Sequence, residues 1–130
     1  MKLGFIGCGN MAQAMITGIL KQQVVTKEEL IASGPTASKM EQVKEKFGII
    51  STTDNHRVAL EADILVLSVK PQMYETVIKE IKEDVRKDQI IVTIAAGVTM
   101  NQVERQFGQE IKIIRTMPNT PALVGEAMVG

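Results

Sequence analysis

The chain has 130 residues, of which 45% are hydrophobic and 23% are charged, and its 15 basic residues balance its 15 acidic ones. Length and composition predict a single globular domain, residues 1–130, with no run long enough to span a membrane. The zero net charge gives no reason to expect nucleic acid or an anionic membrane as a partner. A single cysteine excludes an internal disulfide, and the opening apolar run breaks too early for a secretory signal, so we expect a reducing, cytoplasmic location.

Six short, continuously apolar runs predict strands that are covered on both faces of a sheet. They lie at residues 2–7, 30–33, 48–51, 63–69, 89–95 and 111–117. Between them, apolar residues recur at helical spacing in residues 10–22, 36–47 and 72–85. Because parallel strands need crossover connections, this alternation predicts a Rossmann-type, doubly wound α/β fold in three layers, with a parallel sheet between two layers of helices.

Local start signals support these elements. Thr26 and Thr99 are each followed three residues later by an acid or amide, which is the spacing of a capping box. Asp54 can cap the short helical segment that follows it.

The first strand is followed by a glycine-rich turn at the start of the first helix. Gly7, Gly9 and Ala12 have the G-x-G-x-x-A spacing of a dinucleotide-binding loop. The first glycine permits a tight turn, the second lets the backbone approach a pyrophosphate, and the small third residue lets helix and strand pack closely. Free N–H groups at the helix start then face the anion. Cys8 is expected to be only a small loop residue, because no base partner is evident.

The end of the second strand bears on the choice between NAD and NADP. In NAD-specific sheets an acidic residue there accepts from the ribose 2′-hydroxyl, whereas this sequence has Ser33 and Gly34. Thr36 offers a hydroxyl and Lys39 a positive charge, which together with a helix start form a seat for a 2′-phosphate. NADP(H) is therefore favoured. Since no arginine is present, NAD(H) stays open, and so does a capped helix start without a ligand role.

The carboxyl ends of the later strands are a second set of candidate residues. These strands end in "LSVKPQM", "TIAAGVT" and "RTMPNTP", which are small or conformationally restricted residues. In a doubly wound sheet the ligand lies outside the carboxyl ends of the strands. The three segments are therefore predicted to form one cofactor groove with the glycine loop.

Four segments, in their order and spacing, resemble the N-terminal half of pyrroline-5-carboxylate reductase: "GFIGCGNMAQAM", "SVKPQ", "AAGVT" and "RTMPNTPALVGEAM". The resemblance spans essentially the whole chain, and the last segment is the most diagnostic. That family reduces 1-pyrroline-5-carboxylate to L-proline with NAD(P)H, the last step of proline biosynthesis. The resemblance implies an oxidoreductase acting on a C=N bond, of which this chain supplies the NAD(P)-binding domain.

By match to family positions, the resemblance implies contacts along the whole dinucleotide. The pyrophosphate would contact Ile6, Gly7, Cys8, Gly9, Asn10 and Met11. The adenosine side would contact Ser33 and Asn55, beside Gly34, Thr36 and Lys39. The nicotinamide and its ribose would contact Ser68, Val69, Lys70, Pro71, Ala95, Ala96, Gly97, Met117 and Pro118. On the substrate side, Asn119 borders the ring, and Asn119 and Thr120 are the candidates for hydrogen bonds.

The resemblance also implies a part that this chain lacks. Members of the family continue into a helical C-terminal domain that makes the dimer, binds the substrate carboxylate and completes the active site. Homo-oligomer formation is therefore expected through that domain. The chain by itself is expected to be inactive, and we assign no catalytic residue in it.

Other functions stay open on the sequence. A β-hydroxyacid dehydrogenase of the same fold shares the "GFIGxGxM" start, although "SVKPQ" and "RTMPNTP" argue against it. A regulatory module that binds NADP(H) without turnover is a second alternative. His56, the one histidine, is expected on the surface, and Arg115 is expected either in an edge salt bridge or near an anionic ligand group. With one His and one Cys, no metal site is expected.

Overall fold

The computed structural model of the chain describes residues 1–94, the helical residues Val103, Arg105 and Phe107, and the backbone of residues 112–115. In these residues the strands are β1 (Leu3–Ile6), β2 (Leu30–Ser33), β3 (Ile50–Thr52), β4 (Ile64–Leu67), β5 (Ile90–Thr93) and β6 (Lys112–Arg115). The α-helices with described bounds are α1 (Asn10–Lys21), α2 (Ala37–Phe47), α3 (Asn55–Glu61) and α4 (Tyr74–Ile81). Short 3-10 helices cover Lys27–Glu29 and Pro71–Met73.

The strands form one sheet in the order β3-β2-β1-β4-β5-β6, with every pairing parallel. The chain runs outward from β1 to β3, returns to β4 beside β1, and then runs outward on the other side. The predicted Rossmann-type, doubly wound fold is therefore confirmed. The point where the strand order reverses lies between β1 and β4, which is where such sheets open a crevice for ligands.

Helices cover both faces of the sheet. On one face, α1 and α2 bury Met15, Ile16 and Met40 against side chains of the strands. On the other face, α3 and α4 bury Val58 and Ile78. Strands β1, β2 and β4 are buried along their whole length, because they lie in the middle of the sheet between the two helix layers. No helix among the described residues is long and apolar enough to cross a bilayer.

Two predicted capping signals are confirmed, and the third lies outside the described residues. The Glu29 carboxylate accepts from the backbone N–H of Thr26 at 3.0 Å. The Asp54 carboxylate accepts from the N–H of His56 at 3.0 Å and so caps α3. The signal that begins at Thr99 is not described.

The observed elements are shorter than several of the predicted runs, and in two cases the reason is local. The helix predicted over residues 72–85 is a 3-10 turn followed by α4, which ends at Ile81. Val85 lies beyond the end of α4 but packs into the same core as the helix. Its position therefore fitted the helical spacing of apolar residues, although the helix ends before it. The strand predicted from residue 48 starts at Ile50, because Gly48 has φ of 71° and ends α2 in the left-handed conformation.

Candidate functional site

The glycine loop joins β1 to α1 and has the geometry that its spacing predicts. Gly7 has φ of +93°, and a Cβ there would lie 2.8 Å from Val69 Cγ1 and 2.9 Å from the Ser68 carbonyl oxygen. No other residue fits this position without strain. At Gly9 an added Cβ would meet nothing within 4 Å, so the loop backbone is open to a ligand on this side. Ala12 is fully buried where α1 passes close to the sheet.

The start of α1 suits an anion. Gly9 is the residue that precedes the helix, and it has no side chain with which to cap the first turn. Within the described residues no acceptor is recorded for the N–H groups of Asn10 and Met11. The amide of Gln13 donates to the Cys8 carbonyl oxygen at 3.2 Å and steadies the loop. Exposed N–H groups, the helix dipole and an open backbone fit a pyrophosphate.

Ser68 and Ser33 tie the loop to the strands on either side of β1. The Ser68 hydroxyl lies 2.6 Å from the Gly7 carbonyl oxygen and 3.0 Å from that of Ile6. The Ser68 N–H also donates to the Ile6 carbonyl oxygen at 2.9 Å, and the Gly7 N–H donates to that of Ser33 at 2.9 Å. The loop is therefore held in place by the carboxyl ends of β2 and β4.

A pocket of about 120 Å³ separates the glycine loop from the segment between β2 and α2. It is lined by Cys8, Gly9, Gly34, Pro35, Thr36, Lys39 and Met40. Thr36 precedes α2 and makes no side-chain cap, so the first N–H groups of that helix are left to another acceptor. Sequence reasoning placed Gly34, Thr36 and Lys39 beside the adenosine ribose, and the structure brings them together opposite Gly9. A lysine at an uncapped helix start fits a phosphate group.

Cys8 faces this pocket but is not poised as a nucleophile. Its side chain is buried, and this burial raises the pKa of the thiol, an effect that the nearby Lys39 charge only partly offsets. A thiol with a raised pKa carries little of the reactive thiolate at neutral pH. The structure therefore agrees with the prediction that Cys8 is a small loop residue.

Ser33 and Asn55, predicted on the adenosine side, are hydrogen-bonded to each other. The Ser33 hydroxyl donates to the Asn55 side-chain oxygen at 2.6 Å, and the Asn55 amide donates to Glu80 at 2.6 Å. Ser33 is fully buried, whereas Asn55 is half-buried, so Asn55 offers the accessible surface of this pair. Sequence reasoning missed Glu80, because nothing local connects a residue of α4 to one that starts α3.

The segment after β4 lies beside the glycine loop. Val69 packs on Gly7, while Lys70 and Pro71 are exposed. Lys70 is extended, with φ of −63° and ψ of 150°, as expected of a residue that precedes a proline. Pro71 then begins a 3-10 helix. The remaining predicted contacts lie outside the described residues: Ala95, Ala96, Gly97, Met117, Pro118, Asn119 and Thr120. Of Arg115 only the backbone is described, in β6.

His56 lies on the surface, as predicted, but it has a partner that the sequence did not indicate. Its Nδ1 contacts the Asp84 carboxylate, which joins α3 to the turn after α4. This hydrogen bond raises the pKa of His56, and the charges of Asp84, Asp54 and Glu80 act in the same direction. Its described hydrogen bonds go to Asp54 and Asp84 and not to the glycine loop, so we give His56 no part in the chemistry.

A family model described as "NADP oxidoreductase coenzyme F420-dependent" matches residues 2–97 of the chain. The chain belongs to this NADP oxidoreductase family. The match covers the glycine loop, the pocket beside it and the segment after β4.

The chain is also similar to individual proteins of known name. Pyrroline-5-carboxylate reductase of Escherichia coli (strain K12) is 42% identical over 127 residues, which are 98% of this chain and 47% of that protein. The solved structure of a pyrroline-5-carboxylate reductase from Coxiella burnetii matches with a TM-score of 0.83 and 34% identity, over 95% of this chain and 46% of that one. Pyrroline carboxylate reductase of Plasmodium falciparum, solved with NADP bound, matches with a TM-score of 0.80 and 33% identity, over 95% and 44%.

These matches confirm the resemblance to pyrroline-5-carboxylate reductase that the sequence motifs indicate. The chain spans about half the length of the curated relatives it matches.

Proposed function

We propose that this chain is the cofactor-binding part of a pyrroline-5-carboxylate reductase that uses NADPH, with NADH as the weaker alternative. The observation that carries the proposal is the groove itself. An open glycine loop and a lysine-lined pocket lie side by side at the carboxyl edge of the sheet, in a chain similar throughout to reductases of that name.

The chain's own residues would bind and orient the dinucleotide. The N–H groups at the start of α1 would hold the pyrophosphate, and Lys39 with the start of α2 would hold the 2′-phosphate. Asn55 would meet the adenosine side. The segment from Ser68 to Pro71 would line the nicotinamide ribose.

We also propose ligand contacts for the predicted site residues that lie outside the part of the chain that the structure describes. The nicotinamide ring would lie against Ala95, Ala96, Gly97, Met117 and Pro118, and the substrate would meet Asn119 and Thr120.

In the proposed reaction, bound NADPH supplies a hydride to the imine carbon of 1-pyrroline-5-carboxylate, and the ring nitrogen takes a proton, giving proline. The protein's part is to hold donor and acceptor carbons in contact and to exclude water. Substrate carboxylate binding, the proton donor and dimer contacts belong in this proposal to the other half of the reductase. We place the reaction in the cytoplasm, where reducing conditions suit the single free thiol of Cys8.

The first test is a titration of the chain with NADPH and NADH, followed by nicotinamide fluorescence and by melting temperature. A ligand that binds only the folded state raises the melting temperature, and at equal concentration the tighter ligand raises it more. Saturable binding that favours NADPH supports the groove and the phosphate seat. A cooperatively folded chain that binds neither dinucleotide would contradict the proposal.

Substrate class needs a second test, because the chain covers 47% of the E. coli reductase. A chimaera in which this chain replaces the matching 127 residues of that protein should reduce 1-pyrroline-5-carboxylate with NADPH. A matched chimaera carrying Gly9→Val keeps the fold and closes the open side of the loop, so it should lose the activity. A chimaera that folds and binds NADPH but does not reduce 1-pyrroline-5-carboxylate would contradict the proposal.

A further inference from the structure

Tyr74 is the one tyrosine of the chain, and it is buried at the first position of α4. Only 2% of it is exposed, and it packs in the same core as Leu67 and Ile78. The exposed segment from Lys70 to Met73 leads directly into it: the N–H of Met73 donates to the Lys70 carbonyl oxygen at 2.8 Å and closes the 3-10 turn. This turn fixes where the tyrosine ring enters the core.

The Tyr74 hydroxyl bonds to the carboxyl ends of two neighbouring strands. It donates to the carbonyl oxygen of Leu67, the last residue of β4, at 2.6 Å. It accepts from the N–H of Ile94, the residue after β5, at 3.3 Å. Leu67 is paired in register with Thr93. The Leu67 carbonyl oxygen and the Ile94 N–H are therefore the groups that would form the next hydrogen bond between β4 and β5.

The neighbouring strand pair shows what that hydrogen bond looks like without a tyrosine. Ile6 of β1 is paired with Leu67 of β4, and the N–H of Ser68 then donates to the Ile6 carbonyl oxygen at 2.9 Å. The equivalent bond between β4 and β5 would run from the Ile94 N–H to the Leu67 carbonyl oxygen. The Tyr74 hydroxyl takes both of these groups instead.

We propose that Tyr74 is a positioning residue that holds the carboxyl ends of β4 and β5 apart and so opens the groove for the nicotinamide half of the dinucleotide. The inference rests on the proposed function. Ser68 and Val69 follow directly on Leu67, and their placement beside Gly7 leaves β4 anchored to β1. The Tyr74 side chain therefore separates the end of β5 from β4, which is itself anchored to β1. This separation lies on the side of the glycine loop away from the adenosine pocket.

The test compares two ligands on two variants of the chain. NADPH spans the whole groove, whereas 2′,5′-ADP carries the adenosine and both of its phosphates but no nicotinamide. Tyr74→Phe keeps the ring and removes the hydroxyl, so it should raise the dissociation constant for NADPH about tenfold and that for 2′,5′-ADP less than about twofold. Thr93→Val is the matched control. It deletes a buried hydroxyl one residue before Ile94 that has no hydrogen-bond partner in the described part of the chain, and it should change neither constant.

A merely structural role for Tyr74 predicts a different result. If Tyr74→Phe weakens both ligands equally, or leaves NADPH binding unchanged, the inference is overturned. Because the chain has one tyrosine, replacing it with 3-fluorotyrosine gives a single ¹⁹F resonance. That resonance should shift on addition of NADPH and stay in place on addition of 2′,5′-ADP, and the opposite pattern would also overturn the inference.

Hydrogen exchange of the backbone amides, measured without any ligand, tests the role of Tyr74 independently of the proposed function. In Tyr74→Phe the ring still lies between the strand ends and prevents a direct bond from Ile94 to Leu67, so the Ile94 amide loses its acceptor and should exchange faster. The Val92 amide, inside β5, should keep its protection. An unchanged Ile94 amide means that the hydroxyl does not hold the strand end, whether or not NADPH binds. A wild-type chain that binds neither ligand, with the Ile94 effect present, refutes the proposed function and leaves the separation of the strand ends standing.

Discussion

The Ser68 hydroxyl lies 2.6 Å from the carbonyl oxygen of Gly7, a residue that precedes it by 61 positions in the chain. This contact connects the segment after β4 to the glycine loop after β1, across the point where the strand order reverses. The two segments that would hold the dinucleotide are therefore one hydrogen-bonded unit.

Ser68→Ala should loosen that unit. The variant loses a hydrogen bond to a part-buried carbonyl oxygen, so we expect the free energy of unfolding to fall by about 1 kcal/mol. NADPH binding should weaken as well, because the loop is then held less firmly in its binding shape. Urea denaturation and a fluorescence titration measure the two effects. Ser51→Ala in β3, away from the loop, is the control, and equal effects from both variants would argue against an anchor at Ser68.

The two loop glycines should respond differently to alanine. In Gly7→Ala the new Cβ meets Val69 and the Ser68 carbonyl at under 3 Å, in a backbone with φ of +93°, so stability should fall by about 2 kcal/mol or more. In Gly9→Ala the Cβ enters open space, so stability should change by less than about 1 kcal/mol while NADPH binding weakens. Thermal melting and titration separate the two cases. A Gly9→Ala chain that binds NADPH normally would show that no ligand approaches the loop there.

Lys39 should contribute to cofactor choice. Lys39→Gln removes the positive charge beside the pocket at the start of α2, so the preference for NADPH over NADH should fall by roughly five- to tenfold. Binding of NADH, which has no 2′-phosphate, should barely change. Lys46→Gln, in the last turn of the same helix, removes the same charge further from the pocket and serves as the control. Equal losses of both dinucleotides on Lys39→Gln would place the 2′-phosphate elsewhere.

His56 should make stability depend on pH. Its pKa is raised above the ordinary 6.5 by the hydrogen bond to Asp84, so protonated His56 stabilises the folded state. That contribution is complete below pH 6.5 and is lost as the pH rises through the raised folded pKa. The charges of Asp84, Asp54 and Glu80 act on the His56 ring in the same direction as that hydrogen bond.

The check is urea denaturation of the wild type and of His56→Gln on either side of neutrality. The stability difference between the two chains should be largest at mildly acidic pH and shrink in mildly alkaline solution. Asp84→Asn should reduce this pH dependence strongly, because the hydrogen bond to Asp84 is the largest cause and only the charges of Asp54 and Glu80 remain. A difference that does not vary with pH would mean that the pair holds together without the charge on His56.

Local patterns in the sequence were enough to predict the sheet, the helix layers and the glycine loop. Short apolar runs form strands covered on both faces, and the spacing of Gly7, Gly9 and Ala12 reflects backbone requirements within a few residues of each other. Gly34, Thr36 and Lys39 were predicted to lie near the glycine loop because they follow β2 directly, and they line one pocket with Gly9. Each of these predictions depends on neighbours in the chain, which a sequence displays.

Contacts between distant segments were decided only by the tertiary structure. The bond from Asn55 to Glu80, the pair of His56 with Asp84, and the place of Tyr74 between β4 and β5 all join residues whose own neighbours carry no sign of the partner. Their geometry depends on strand register and on how α3 and α4 pack against the sheet. Both depend on packing of the whole core. The sequence by itself determined the alternation of strands and helices and the glycine loop at the carboxyl edge of the sheet. Packing decided which distant side chains bond to that loop and to the strand ends.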